Sequence, residues 1–467
     1  MAGWTSALGS LREELVQRRD EGCEIPEDLF RRIEQLDPEE DAWNTAVIDP
    51  LYDELMGLQP DADLLAREPS DLNSIRAARP DGPRNFQWNP SQEELLDRLH
   101  GAWTGRSVGC ALGKPVEGMG MSRRDGKLVG RRRIKRYLQL RNDWPLRDYF
   151  SGRDVEGMPC EDTETGKGLG PQEATREQIA YMPADDDIHY SLVGLGVLEK
   201  HSPDFGWSDV ALYWSDHIPF GAICTAEAQA ILNFWNHSVR WKGGGMDATP
   251  EFTRRHRNPY REWIGAQIRS DGWAWACAGN PEKAAELAYR DACWTHERNG
   301  IYGEMMFAAI QAAAFVERDP RKLVEIGLSE IPSECRLALA TRECLQWLEQ
   351  CDTWEDCMDR LDKAYAGMDP VHTINNALIC VLSLFYGKTN PEESTEISVM
   401  CGLDTDCNGA TVGSIVGAAA GRKAFGEHLA GQLNDTIRPN MIGFQQTKMI
   451  DLARRTATVW KRVRDPQ

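Results

Sequence analysis

The sequence predicts an all-α chain, with a main helical domain over residues 86–467 and a helical extension over residues 1–85 ahead of it. Nearly every long segment past residue 90 carries apolar residues at helical spacing. Val and Ile alternation of the strand type is scarce. Helix-start chemistry precedes the first of these runs, where the capping box Ser91-Gln92-Glu93-Glu94 leads into Leu95, Leu99 and Ala102.

In the extension, Leu11, Leu15 and Val16, then Leu29, Ile33 and Leu36, then Leu51, Leu55 and Leu58 mark short amphipathic helices. Pro80-Asp81-Gly82-Pro83 is a breaker cluster and reads as the linker. Nothing in this segment looks catalytic. The helix opened by Ser91 ends within Gly109 to Glu117, and further helices are expected at 185–200, 208–235, 281–294, 302–317, 321–329, 336–350, 354–366, 371–387 and 407–425. The polar, Gly-rich stretch from Ser122 to Gln178 has weak periodicity and reads as a surface insertion or lid-like loop.

The chain has 467 residues with 53 Lys+Arg against 73 Asp+Glu, a formal net charge of −20, and 41% hydrophobic residues. That is globular composition with chain enough for a sizeable core. The acidic balance argues against nucleic acid as a partner, because neutralising phosphates needs a basic face. The opening MAGWTSALGSLREELVQRRDE lacks the basic and then apolar pattern of a secretory signal. The longest apolar runs, such as Ala377 to Tyr386, are about ten residues, short of the ~20 that span a bilayer. No membrane partner and a cytoplasmic location are expected, while the oligomeric state is not indicated. Thirteen Cys without any C-x-x-C argue for buried thiols in a reducing compartment rather than a disulfide framework or thiolate zinc site.

Three segments concentrate carboxylates beside small residues. In the first, Gly109 to Glu117, the glycines Gly105, Gly109 and Gly113 fall at i, i+4, i+8 and form one smooth helix face, which reads first as tight helix packing. In the second, Asp185, Asp186 and Asp187 open a helix. One or two acids there answer the helix dipole, but three in a row repel one another unless a cation sits among them. In the third, Asp404 and Asp406 stand at i, i+2 in a turn that opens the small-residue helix Val412 to Gly421. Together these segments supply about six carboxylates, the ligand count of a site for two hard cations with bound water.

The order G-x-x-x-G-x-x-x-G-x-P-x-E, then D-D opening a helix, then G-x-D-T-D opening a Gly/Ala-rich helix resembles the ADP-ribosylglycohydrolase family, which includes the dinitrogenase-reductase-activating glycohydrolases. The resemblance covers roughly residues 95 to 425. It implies a domain of orthogonally packed helices with a binuclear Mg²⁺ centre, sometimes Mn²⁺. It also implies hydrolysis of the N- or O-glycosidic bond at the anomeric carbon of ADP-ribose, on a small-molecule or ADP-ribosylated substrate. Carried over by residue, Glu117, Asp185, Asp186, Asp187, Asp404 and Asp406 are the implied metal ligands, with Glu117, Asp186 and Asp187 as the catalytic carboxylates. In this register Asp186 and Asp187 are the paired aspartates, and Asp185 and Ile188 fill the flanking Thr positions. Shifted back by one, Asp185 and Asp186 are the pair and Asp187 fills the second Thr position. Cys407 stands where the family has Thr after the final Asp, and Cys110 where it often has Asp. A thiol is a poor Mg²⁺ ligand, which leaves a coordination position to water and the identity of the substrate open.

Substrate contacts are implied at Gly113, Asp271, His296 and Asn408. His296 lies where the family has a helix-end Ser/Thr-His, and Asp271-Gly272 best matches a Gly-rich loop against the ribose within Gly265 to Asn280, although that loop's usual Met-Arg pair is missing. Eight of the sixteen Trp lie between Trp207 and Trp294; core packing is their default role, with stacking on a base as the alternative. The basic run Arg131 to Arg136 reads as a solvated loop face ahead of a diphosphate site. His372, Asn375 and Asn376 share a helix face and read equally as donors behind the site or as a buried polar network. The leading expectation is a metal-dependent glycoside hydrolase. Its rivals are a non-catalytic ADP-ribose or nucleotide binder or structural relative of the same fold, and a two-metal phosphohydrolase.

Overall fold

The computed structural model describes residues 5–124, 126–153, 169, 172–236 and 248–465. Helices account for nearly all of the regular structure, and among the described residues the only strands are two two-residue ribbons, Arg123–Arg124 with Lys127–Leu128 and Thr436–Ile437 with Thr447–Lys448. The domain is therefore all-α, as its patterning predicts.

The extension forms the helices Ala7–Asp20, Glu27–Glu34 and Thr45–Gly57, which bury Leu11, Leu15, Leu29, Ile33, Leu51 and Leu55 in a small core of their own. Val16, read as part of that stripe, is instead exposed. Farther along, Ile75 on Leu72–Ala78 already belongs to the main core.

An ionic network ties the extension to the main domain. Arg261 pairs with Glu14 at 2.8 Å and Glu21 at 2.6 Å, Arg298 pairs with Glu21 at 2.5 Å and Glu262 at 3.3 Å, and Arg336 pairs with Glu68 at 2.9 Å and Glu262 at 2.8 Å. Arg261 and Glu262 lie just before Ile264, whose N–H donates to the Val371 carbonyl at 2.9 Å. The network thus braces a chain segment that reaches the functional cavity.

In the main domain the Ser91 hydroxyl caps Gln92–Gly113 by accepting the Glu94 N–H, the N-cap half of the expected capping box. The Arg336–Gln350 helix has the expected bounds. The helix expected over 208–235 is two, Trp207–His217 and Thr225–Asn236. Pro219 explains the break, because it disfavours helical backbone at Ile218, which is extended. The stretch read as a loop from Ser122 to Gln178 contains the helix Gly130–Leu140. Its apolar stripe is only Ile134, Tyr137 and Leu138, all buried, and the surrounding arginines hide it. Residues 154–168, 170 and 171 of that stretch, with Cys160 and Trp241, lie outside the described residues. Pro391–Met400 and Met449–Arg464 are further helices that the periodicity did not single out.

The described tryptophans between Trp207 and Trp294 pack into the protein, whereas Trp43 is exposed. Trp103 meets Trp275 edge-on at 4.6 Å, and Trp273 stacks on Phe205 at 4.7 Å. The twelve described cysteines are free. No helix among the described residues is long and apolar enough to cross a membrane.

Candidate active site

A backbone-to-backbone contact gathers the carboxylates. Gly101, Gly105, Gly109 and Gly113 on Gln92–Gly113 lie against Gly417, Gly413, Gly409 and Thr405 on Thr405–Ala420, so the two helices run antiparallel. A Cβ at any of the four would fall inside contact distance of the opposing carbonyl. The smooth face is tight helix packing, and its consequence is positional. The end of one helix, with Lys114 and Glu117, sits beside the first turn of the other, with Asp404 and Asp406.

That first turn is held from behind. Gly402 and Leu403 both adopt left-handed backbone, with φ of 79° and 56°. This conformation is strained for Leu and persists where the surroundings enforce it. The Leu403 N–H donates to the Gly120 carbonyl at 3.1 Å, and the Thr405 hydroxyl donates to the Gly113 carbonyl at 2.8 Å. Asn376 Oδ1 accepts the Asp404 N–H at 3.2 Å and the Asn408 side-chain amide at 2.8 Å. The two readings of Asn376 therefore merge: it is a buried network residue that positions the acidic turn.

The third contributor is the start of Asp186–His201, where Asp185 is the N-cap and accepts the Asp187 N–H at 3.0 Å. Arg106 is fully buried and reaches this point from the glycine helix. It pairs with Asp187 at 2.8 Å and Asp271 at 2.9 Å, and donates to the Ile268 carbonyl at 2.6 Å.

These elements enclose a cavity of about 370 Å³. Lys114, Glu117, Asp185, Asp186, His189, Glu227, Asp404 and Asp406 line it, along with an apolar wall of Met121, Ile264, Ile268 and Val371. Mutual repulsion and burial govern the acids. The charge of Asp406, reinforced by burial, pushes Glu117 well above the usual carboxylate range. Burial, with Asp185 and Asp406 nearby, pushes Asp186 up to about 8. Burial and Asp185 push Asp406 up to about 6, and burial with Asp406 and Glu117 raises Asp404 well above its ordinary value. Asp185 alone goes the other way: burial opposes its charge, but the Lys114 ammonium 2.5 Å away holds it below the ordinary value.

Asp404 Oδ1 and Asp406 Oδ1 are buried without a hydrogen-bond partner among the described residues. One oxygen of each and the Cys407 sulfur lie within 4.8 Å of one another. Burial keeps the Cys407 thiol protonated, so the usable donors are hard oxygens. This donor set fits a divalent cation such as Mg²⁺ or Mn²⁺.

Five of the six expected ligands, Glu117, Asp185, Asp186, Asp404 and Asp406, line the cavity together. Asp187 does not. Its side chain is fully buried, with Oδ1 on Arg106 and Oδ2 unpartnered among the described residues, and it groups with Cys110 and Asp185, one ligand atom of each lying within 4.8 Å of the others. The pair that lines the cavity is Asp185 and Asp186, which is the register shifted back by one. The four implied substrate contacts also lie off the cavity lining. Gly113 packs on the Thr405–Asp406 backbone. Asp271 lies within the helix Ser270–Ala276, bound to Arg106 and Ser414. The Thr295 hydroxyl meets His296 Nδ1 at 2.8 Å, and His296 Nε2 faces Glu227 at 3.9 Å. Asn408 is spent on Asn376. The segment from Gly265 to Asn280 does meet the cavity, through Gly265 and Ile268 rather than Asp271. Arg131, in the basic run, pairs with Asp359 and Asp362.

Sequence reasoning passed over Lys114, His189 and Glu227. Lys114 sits within the first acidic segment, and its place just after Gly113 was the available signal. His189 Nε2 accepts the Asn440 N–H at 3.1 Å, and burial pushes its pKa down to about 4, so it is neutral. Glu227 pairs with the buried Arg269 at 2.6 Å.

A family model described as ADP-ribosylglycohydrolase matches residues 91–466. A solved structure titled "ADP-ribosylglycohydrolase-related protein complex" is similar with a TM-score of 0.47 at 16% identity, covering 79% of this chain and 99% of that one. No curated protein matches.

Proposed function

Because this chain belongs to the ADP-ribosylglycohydrolase family, hydrolases that act on ADP-ribosylated substrates, we propose that its acidic cavity cleaves an N- or O-glycosidic bond at the anomeric carbon of an ADP-ribosyl or related ribosyl nucleotide group, with Mg²⁺ or Mn²⁺ bound. The observation that carries this reading is the pair of buried, unpartnered oxygens of Asp404 and Asp406, facing the same cavity as Glu117 and Asp186. Asp404 and Asp406 would hold the cation. A bound divalent cation supplies positive charge for the ribose hydroxyls and acidifies water.

The chain's own groups do the rest. Glu117 and Asp186 hold their protons tightly while no cation offsets the crowded charge; a bound cation would favour their ionised forms and leave them free for general acid–base work. In this reading Glu117 takes the proton from the attacking water, while the remaining carboxylates stabilise positive charge that develops on the ribose as the bond to the leaving group breaks. Ile264, Ile268 and Val371 give the sugar an apolar wall that limits competing water. His189, neutral and tied to the Asn440 backbone, orients rather than protonates. Arg106 fixes the helix start through Asp187.

The test is product analysis on the full chain with Mg²⁺ or Mn²⁺, offered arginine- and serine-linked ADP-ribosyl peptides and nucleotide N-glycosides. Release of free ADP-ribose or a ribosyl product, with the leaving group intact, is expected. Inorganic phosphate or a nucleoside monophosphate as the product would instead support a phosphohydrolase. Tight ADP-ribose binding with no turnover of any substrate would support a binding protein.

A further inference from the structure

The acids that line the cavity are partnered differently. Lys114 Nζ lies 2.5 Å from Asp185 Oδ2, with 16% and 3% of the two side chains exposed. The other Asp185 oxygen accepts the Asp187 N–H, so both oxygens of Asp185 are engaged. Asp187 meets Arg106 through Oδ1 and keeps a buried Oδ2 without a hydrogen-bond partner among the described residues. Asp404 and Asp406, which line the same cavity, are each 4% exposed, their Oδ1 atoms are unpartnered, and neither has a cationic side chain within salt-bridge distance among the described residues, although the charge of Lys114 also reaches Asp406. A divalent cation bound at Asp185 would have to share that carboxylate with an ammonium already in contact with it, and like charges at such range repel strongly.

We propose that Lys114 takes the place of one of the two cations that the family resemblance implies, so that this chain binds a single divalent cation, at Asp404 and Asp406. The inference rests on the proposed cation-dependent reading of the cavity. The lysine gives Asp185 a fixed charge that needs no metal, and Asp404 and Asp406 are the carboxylates left to respond to metal supply.

The test is the binding of Mn²⁺ to the full chain after EDTA treatment, followed by calorimetry and by electron paramagnetic resonance. The wild type should take up about one Mn²⁺ per chain and show the hyperfine sextet of an isolated ion, whereas a two-metal site holds ions only about 4 Å apart and shows a coupled spectrum. Lys114→Met frees Asp185 and should raise the uptake toward about two, with coupling; Lys114→Arg keeps the charge and should stay near one. About two coupled Mn²⁺ in the wild type, or a Lys114→Met protein that stays at one, overturns the inference and leaves the hydrolase reading standing. No Mn²⁺ bound at all overturns both. If Lys114→Met does not fold, the wild-type stoichiometry and spectrum decide alone.

Discussion

Two buried clusters of charge in this molecule use the same residue types to opposite ends. Where the N-terminal extension meets the main domain, Glu14, Glu21, Glu68 and Glu262 are met by Arg18, Arg261, Arg298 and Arg336. Burial opposes the charge on Glu21 and Glu262, yet their arginines hold both below the ordinary carboxylate range. In the cavity, six carboxylates face one lysine; Glu227 is met by the buried Arg269, while Glu117, Asp186, Asp404 and Asp406 are all pushed up. Buried acids matched by arginine are structural. Buried acids left unmatched beside a cavity are a demand for a cation.

Substitutions separate the two clusters. The largest effect is expected from Glu117→Gln, which should lower kcat by about 10²–10⁴-fold while leaving the melting temperature of the metal-free protein unchanged or raised, because it removes one repelling charge; a steady-state assay beside a thermal melt checks this. Arg261→Met should do the reverse. It leaves Glu14 and Glu21 without their shared partner and should cost about 3–5 kcal/mol of stability in denaturant unfolding. The loss should include the seating of the extension. A comparison drawn wrongly would show Arg261→Met as stable as the wild type.

Asn376→Ala tests the support behind the cavity. Asn376 anchors the turn through Asp404 and Asn408 without reaching the cavity, so metal affinity should fall by about 10–100-fold, read by Mn²⁺ titration, with the fold retained. The smallest effect is a pH trend of opposite sign at the two clusters. Asp186 at about 8 and Asp406 at about 6 keep protons in the folded, metal-free state that the unfolded chain loses near pH 4. Their contribution is present at low pH and is lost as pH rises through those values. Glu21 and Glu262, held low, contribute above the ordinary carboxylate range and lose that contribution as pH falls below it. The EDTA-treated protein should therefore melt at lower temperature at pH 9 than at pH 6, and saturating Mg²⁺ should remove most of that decline.

Much of this arrangement is legible in the sequence, because it rests on local rules. Glycines at i, i+4, i+8 announce a close helix contact, and short acids at helix starts announce a site. What escaped depends on partners far along the chain. The one-residue register at Asp185–Asp187 could not be read from the helix that follows, because every residue from Asp187 to Leu198 is buried and no polar face marks its orientation. Which of the three aspartates is paired with an arginine is set by Arg106, from another helix. Asp271 and His296 look available in the sequence, but Arg106 and the pocket around Glu227 claim them in the fold. The Gly130–Leu140 helix was hidden by its own arginines.

The central claim is that the unmatched acids of the cavity hold a divalent cation that hydrolysis requires. The most direct measurement is a Mg²⁺ and Mn²⁺ titration of the EDTA-treated chain, wild type beside Asp406→Asn, reading melting temperature and release of ADP-ribose from one cleavable substrate together. The account predicts that both signals rise with metal in the wild type and that neither does in Asp406→Asn. Full release of ADP-ribose by the wild type in EDTA, or a metal response undiminished in Asp406→Asn, would contradict it.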